Sequence, residues 1–298
     1  MENTSDYLSL LAMPVVFAGV VALARLDARL ASPVFSIINR WLRCLVFAGG
    51  AAFLFKEICG SGRPYWQLVI VWLLVWVLGE TLYNWVMVKA LSMSPLPLFP
   101  RYSISIAGDE WPTHPRFLKV RDWLRARGFS RTQALRAEIH RDLYLRVSVY
   151  QDAAAETRLQ ITFLPQAGGG MAMCAGFSTR TLNGWRYVTD NMFLPFAGFY
   201  PENWLVERSP WRASLESLYR RHRARLARRG EMIQPWDDEP LDDLNAQQRE
   251  LDKLNTELGF LLPGAQREEH GKITYEGRFR VWKEVWSLNY LGRSARYE

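Results

Sequence analysis

Glu80 and Asn84 sit inside Tyr65 to Val88, an apolar run of 24 residues, and Glu80 is the side chain whose position most demands a chemical reason. A helix rises about 1.5 Å per residue and needs roughly 20 residues to cross bilayer hydrocarbon. The run is long enough. An ionisable group at that depth costs on the order of 2.5–3.5 kcal/mol and turns into the protein or toward water. Two roles fit. One is a carboxyl that carries protons, ions or a substrate contact; the other is a neutral or hydrogen-bonded carboxyl that glues one helix to another. Trp72, Trp76, Glu80 and Asn84 recur every four residues and share a stripe that should face a neighbouring helix. The packing role is favoured, because transporters show several buried ionisable groups and no second one is evident here.

Anion binding is the second chemistry on offer. A helix over Thr113 to Gly128, with Pro115 in its first turn and Gly128 as its stop, has a basic face of Arg116, Lys119, Arg121, Arg125 and Arg127. Arg116, Lys119 and Arg125 would hold a domain against anionic lipid headgroups, each cation contributing about 1 kcal/mol near such a surface. A later helix, with Ser209 as N-cap and Pro210 as first residue, carries Arg220, Arg221, Arg223, Arg225, Arg228 and Arg229. Its apolar face holds Trp211, Leu215, Leu218, Tyr219, His222 and Leu226. Phosphates of lipid or nucleic acid would suit the six arginines. The favoured reading is plainer: a solvated helix end that complements the macrodipole and meets the acidic run Asp237-Asp238-Glu239 with Asp242-Asp243.

No catalytic constellation assembles. His114, His140, His222 and His270 lie on different elements, and His222 on an apolar helix face is a packed, hydrogen-bonded ring by default. His140 with Asp142 makes at most a faint acid/base pair. Glu268-Glu269-His270 lacks the i, i+4 pairing of a metal site. Ser178 has no Gly-x-Ser-x-Gly elbow, and Cys174 on an inward strand position reads as a small hydrophobe. Gly168-Gly-Gly170 lacks the following Lys-Ser/Thr of a phosphate loop and joins two strands instead. No cofactor or metal is expected, and the balance leans away from an enzyme.

The elements that must position these residues fall into two zones. Residues 1–100 hold seven Lys/Arg and five Asp/Glu among apolar runs, whereas residues 101–298 hold thirty and twenty-five, which puts most of the positive excess in a polar zone of one-domain size. Three cysteines, Cys44, Cys59 and Cys174, make no disulfide framework and suit a reducing compartment. Membrane helices are expected at about 8–26, 41–59 and 65–88 within a membrane region 1–93. The second is short in clean apolar residues, with residues 33–43 as a basic amphipathic lead-in, and spans only if Lys56 snorkels. The start, Met1-Glu-Asn-Thr-Ser-Asp6, lacks the positive n-region of a signal peptide, so the first segment reads as retained. Trp66 and Trp85 fit an interfacial belt, and the Lys/Arg bias places the large domain in the cytoplasm whether two or three helices span.

Residues 94–100, Ser-Pro-Leu-Pro-Leu-Phe-Pro, form a linker that cannot continue the helix. After a short strand-like Tyr102 to Ile106 and the basic helix, period-two runs at Leu135 to Ile139, Leu143 to Val149, Leu159 to Phe163 and Met171 to Phe177 predict antiparallel strands. Asn183-Gly184 predicts a hairpin into Tyr187-Val188. Leu241, Leu244, Leu251, Leu254, Leu258 and Leu261 mark a helix, punctuated by Gly259, that packs on its own sheet. A last helix over Thr274 to Tyr290 should bury Phe279, Trp282, Val285 and Trp286.

The sequence therefore predicts a multi-pass inner-membrane α+β protein whose cytoplasmic domain, residues 101–298, is an antiparallel sheet of about five strands covered on one face by helices. The leading function is noncatalytic binding or scaffolding in a membrane assembly, with anionic lipid headgroups and other membrane or cytoplasmic proteins as partners. A membrane enzyme or transport-linked subunit using Glu80 is the alternative, and a tethered nucleic-acid binder ranks third.

Overall fold

The computed structural model describes residues 14, 17–25, 33–106, 108, 111–140, 143–166, 170–212 and 214–294. Residues 17–25 are helical (α1), and the rest of the first expected span, like Asp142 and the Gly168-Gly169 pair, lies outside the described residues. Helix α2 runs Pro33–Cys59 and α3 runs Tyr65–Met93. The expected lead-in and second span are thus one helix, since nothing after Pro33 breaks it and proline is tolerated in the first turn. Of the described helices, α3 alone is long and apolar enough to cross a membrane; Arg40, Arg43, Lys56 and Glu57 dilute α2. The two helices form an antiparallel hairpin, with Phe47 against Trp76 at 5.3 Å and Phe55 against Trp72 at 6.3 Å between ring centroids. The Tyr65 hydroxyl donates to the Gly49 carbonyl at 2.9 Å.

The polar zone is α+β. Eight strands form one open sheet: β1 Arg101–Ile104, β2 Ser130–His140, β3 Leu143–Gln151, β4 Arg158–Pro165, β5 Met171–Thr181, β6 Arg186–Asp190, β7 Trp204–Arg208 and β8 Ile233–Gln234. The first six form an antiparallel meander in chain order, β7 joins β6 in parallel, and β8 adds to the end of β5. The sheet exceeds the expected five strands because β7 is uniformly half-buried and β8 is two residues long, so neither shows alternation. Four residues, Leu182 to Trp185, link β5 to β6, with Gly184 at a left-handed φ of +80° and its N–H donating to the Thr181 carbonyl at 2.9 Å.

Helices cover both faces, not one. Helices α4 (Pro115–Ala126) and α5 (Leu215–Arg229) bury Phe117, Leu124, Leu215 and Leu218 against Tyr150, Ile161, Phe163 and Phe177. On the other face α6 (Pro240–Glu257) packs Leu244 against Leu135, Val147 and Val149. Period two explains the result: Val149 and Tyr150 are both buried, so β3 is apolar on both sides. The start of α5 is corrected as well. Ser209 and Pro210 lie in a preceding turn, and Ser214 is the N-cap, accepting from the Ser217 N–H.

The chain ends in a short α7 (Arg267–His270), α8 (Tyr275–Trp286) and a π-helical turn, Ser287–Leu291. The buried face of α8 is Gly277, Val281 and Glu284, whereas Phe279 is half-exposed. The expected aromatic face instead lies along α3. Helix α8 runs antiparallel to α3: Ser92 meets Ile273, Trp85 stacks on Tyr275 and Trp282, and Trp76 reaches Tyr290.

Candidate functional site

The residues nearest to a functional arrangement gather where α2, α3 and α8 meet. Arg40 on α2 and Glu80 on α3 form an ion pair at 3.3 Å, with only 24% and 15% of their side chains exposed. The Arg40 guanidinium also sits 5.6 Å from the Tyr290 ring centroid. Tyr290 is held from two sides, its hydroxyl accepting from Trp76 Nε1 and its carbonyl from Trp41 Nε1, both at 3.2 Å. The Trp72, Trp76, Glu80, Asn84 stripe does face another helix, and Glu80 finds its partner there, in Arg40 of α2. Asn84 is buried, as is Asn39 on α2. Among the described residues Asn84 Nδ2 and Asn39 Oδ1 have no hydrogen-bond partner.

The last turns of α3 belong to the domain. Val88 and Ser92 are buried, Val88 in a cluster with Ala197, Phe260, Leu261, Ile273 and Val281. Ser92 Oγ accepts from the Ile273 N–H at 3.0 Å, and its carbonyl from the Lys272 N–H at 2.9 Å. Gly271, at φ +85°, permits this approach; a Cβ there would lie 2.7 Å from Ser92 Oγ. Lys272 Nζ donates to the Ser94 carbonyl at 2.6 Å and to Leu96, which ties the proline-rich segment down. Glu80 therefore lies about 22 Å along the helix from Tyr65, between the Trp76 bond to Tyr290 and the stacking of Trp85 on α8. Trp85 is enclosed by aromatic partners from α8.

A second concentration of charge lies on the α6 face of the sheet. Arg158, Arg180 and Arg186 from β4, β5 and β6 converge on Asp243 at 3.1, 3.0 and 2.7 Å, and Arg158 and Arg180 also reach Asp238. The Trp236 ring packs against them, its centroid 4.1 Å from the Arg158 guanidinium and 3.9 Å from that of Arg180. Burial pulls the Arg158 guanidinium below its ordinary proton affinity, against the pull of Asp243 and Asp238. This is where the acidic run goes. It does not meet the α5 arginines, because α5 is on the opposite face. The adjoining cleft, about 530 Å³, carries both signs, with Arg249, Asp242 and Glu250 beside the cluster. That makes a clasp between α6 and the sheet, not a site selective for one charge.

The α5 arginines have acidic and backbone partners of their own. Arg221 and Arg225 both hold Glu207, at 2.6 and 3.2 Å, and Arg225 also donates to the Val188 and Leu205 carbonyls. Burial works to raise the Glu207 carboxyl, but these two arginines outweigh it and hold it below the usual carboxylate range. Arg220 and Arg223 make longer pairs with Glu216 and Glu156, at 3.6 and 3.8 Å, while Arg228 and Arg229 are exposed. On α4, Lys119 and Arg125 are exposed, whereas Arg116 folds over the Phe117 ring and donates to the Met171 carbonyl. Of the sequence-predicted cations, Arg116, Arg221 and Arg225 are thus engaged within the protein, whereas Lys119, Arg125, Arg228 and Arg229 are exposed.

His222 is fully buried between two hydroxyls, Nε2 3.0 Å from Thr179 Oγ1 and Nδ1 3.0 Å from Thr189 Oγ1. Burial, followed by Arg225 and Arg223, drives its proton affinity down to about 3, so the ring is neutral. Burial pushes the Cys174 thiol up to about 11, leaving it protonated at neutral pH. His114 caps α4, its Nδ1 accepting from the Arg116 N–H at 3.3 Å, and His270 sits exposed on α7. Among the described residues no three His, Cys, Asp or Glu side chains converge on a metal-sized site. Sequence reasoning missed Arg40, Tyr290 and Asp243 as partners; Arg40 left a signal as an arginine on the approach to α2, and Asp243 as part of the acidic run, whereas Tyr290 left none.

No family model, no curated protein and no solved structure matches this chain.

Proposed function

We propose that this is a membrane-anchored, noncatalytic binding or scaffolding protein of the inner membrane, acting within a larger membrane assembly. The observation that supports the reading is α3 itself: its first half is apolar and largely exposed apart from its packing on α2 and the Trp76 bond to Tyr290, and its last turns are part of the domain core. A helix built this way transmits position directly between bilayer and domain. In this reading the bilayer covers α3 from Tyr65 to about Tyr83, roughly 19 residues or 28 Å. Arg40, Glu80, Trp41, Trp76 and Tyr290 then form the domain-side boundary belt, where aromatic and snorkelling cationic groups are stable. Arg40 opposite Glu80 favours the carboxylate as interhelical glue over a proton or substrate carrier.

With α1 and α2 as further spans, the excess of Lys/Arg on the domain side puts the domain in the cytoplasm. The exposed apolar flanks of α2 and α3, including Leu45, Ile58, Leu74 and Leu82, serve lipid or a partner's helices. The test is a pair of C-terminal fusions on the full chain, combined with alkaline extraction of membranes. A fluorescent reporter should be bright, a phosphatase reporter silent, and the protein should stay in the membrane pellet. An active phosphatase would reverse the orientation, and release into the supernatant would remove the anchor.

A further inference from the structure

A second cavity, also about 530 Å³, opens between the end of β7, the segment leading into α5 and the turn that follows α8. Its polar lining is Arg208, Arg212, Arg293, Ser209, Ser214 and Ser217, and among the described residues it includes no carboxylate. The three arginines are not equivalent. Arg208 is spent: it donates to Asp190 at 3.2 Å, the Leu194 carbonyl at 3.0 Å and the Tyr200 hydroxyl at 3.2 Å, and so forms the floor. Arg212 makes one side-chain bond, to Ser217 Oγ at 2.7 Å. The Arg293 side chain makes no hydrogen bond or ion pair among the described residues. Two guanidiniums and the serine hydroxyls thus line a concave space whose described lining holds no carboxylate, in contrast to the mixed-sign cleft beside Asp243. Forked guanidinium donors match the oxygens of a phosphate.

The location narrows the source. Arg293 follows Tyr290 by three residues, and Tyr290 touches Arg40 and Trp76, so the cavity lies at the end of α8 near the boundary belt proposed above. Its surroundings carry exposed apolar side chains, Trp211 at 43%, Leu291 at 54% and Leu194 at 49%. Trp211 is fixed by Gly292, where a Cβ would come within 1.9 Å of the indole ring. We infer that this cavity binds the phosphate ester of an anionic ligand, a phospholipid headgroup whose chains lie against the apolar rim. Only the lipid source rests on the membrane reading above; the anion site rests on the cavity.

The test is calorimetric titration of the full chain in neutral maltoside micelles with three separate ligands: short-chain phosphatidic acid, short-chain phosphatidylcholine and inorganic phosphate. Phosphatidic acid should bind. Arg293→Gln, which breaks no contact, should weaken it about fivefold, and Arg212→Gln with Arg293→Gln about 25-fold, taking about 1 kcal/mol per cation. Arg293→Lys should retain most of the binding, and Lys253→Gln on exposed α6 should change nothing. Equal binding of phosphatidylcholine, or no response to Arg293→Gln in a variant of unchanged melting temperature, overturns the site. Inorganic phosphate binding as tightly as the lipid, and weakened by the same variants, supports the anion site and assigns it a soluble phosphate. Release of the protein by alkaline extraction would defeat the anchor alone, since the micelle titration still decides the cavity.

Discussion

The Arg40–Glu80 pair and the Arg158–Arg180–Arg186–Asp243 cluster solve the same problem in two parts of the molecule, one between helices and one between a helix and the sheet. Each buries charge and must pair it, because an isolated buried ion is costly. The helix pair is a single contact between partly exposed side chains, supported by one aromatic ring. The sheet cluster places three cations around one carboxylate that is itself 6% exposed, and Asp238 and Trp236 share the load. The difference is one of redundancy and charge. Removing the carboxylate strands Arg40 in the first case; in the second it strands Arg186 and leaves Arg158 and Arg180 to share Asp238, so conspicuousness in the sequence and energetic weight run in opposite orders here.

Asp243→Asn is the sharpest way to break that comparison. It keeps shape and hydrogen-bonding capacity yet removes the charge, and should cost about 3–5 kcal/mol as expected for a broken buried pair. Thermal melting of the purified full chain would show it. Arg186→Gln should cost visibly less, since Arg158 and Arg180 still hold Asp243; equal losses would mean that the cluster is not a shared network.

His222 supplies a neutral contrast on the opposite face of the sheet. Its folded proton affinity of about 3 lies below the unfolded value of about 6.5. Between those values the unfolded chain binds a proton that the folded chain refuses. Stability is therefore flat above pH 6.5 and falls as pH drops below it, by about 1.4 kcal/mol per pH unit from this group, or about 2 kcal/mol at pH 5. His222→Asn should flatten that part of the slope whatever it costs in absolute stability. An unchanged slope in melting temperature against pH would assign the loss to carboxylates instead.

Glu80 should show the smallest effect. Glu80→Gln keeps a hydrogen-bonding side chain of nearly the same shape and should cost less than about 1 kcal/mol, while Glu80→Leu strands Arg40 and should cost about 1–2 kcal/mol. Detergent-solubilised melting curves separate the two. A Gln variant that inserts and purifies normally yet abolishes the cellular phenotype would turn Glu80 from glue into chemistry.

Much of the local structure was legible. Pro115 and Gly128 bracket α4, period two locates β2 to β5, Asn183-Gly184 turns the chain into β6, and the apolar length of α3 stands out. Ser209-Pro210 misled because a good cap signal is also a good turn signal, and Ser214 offers a second cap five residues on. The candidate sites were far less legible. Glu80 was identified by its apolar surroundings, but nothing local pointed to Tyr290, whose carbonyl meets Trp41 across 249 positions of sequence. The acidic run was visible, and its destination was not.

The sequence by itself determined most of the helices and strands, though not β7, β8 or the start of α5, and that α3 can cross a bilayer, because these follow from backbone sterics, side-chain period and apolar length within a few turns. The tertiary structure decided that both faces of the sheet are covered, that α8 runs antiparallel along α3, that Arg40 answers Glu80, and that Arg212 and Arg293 share a cavity. Those outcomes depend on the register in which distant elements pack. Register is set by the summed fit of many small contacts, so it leaves no signature at any one residue.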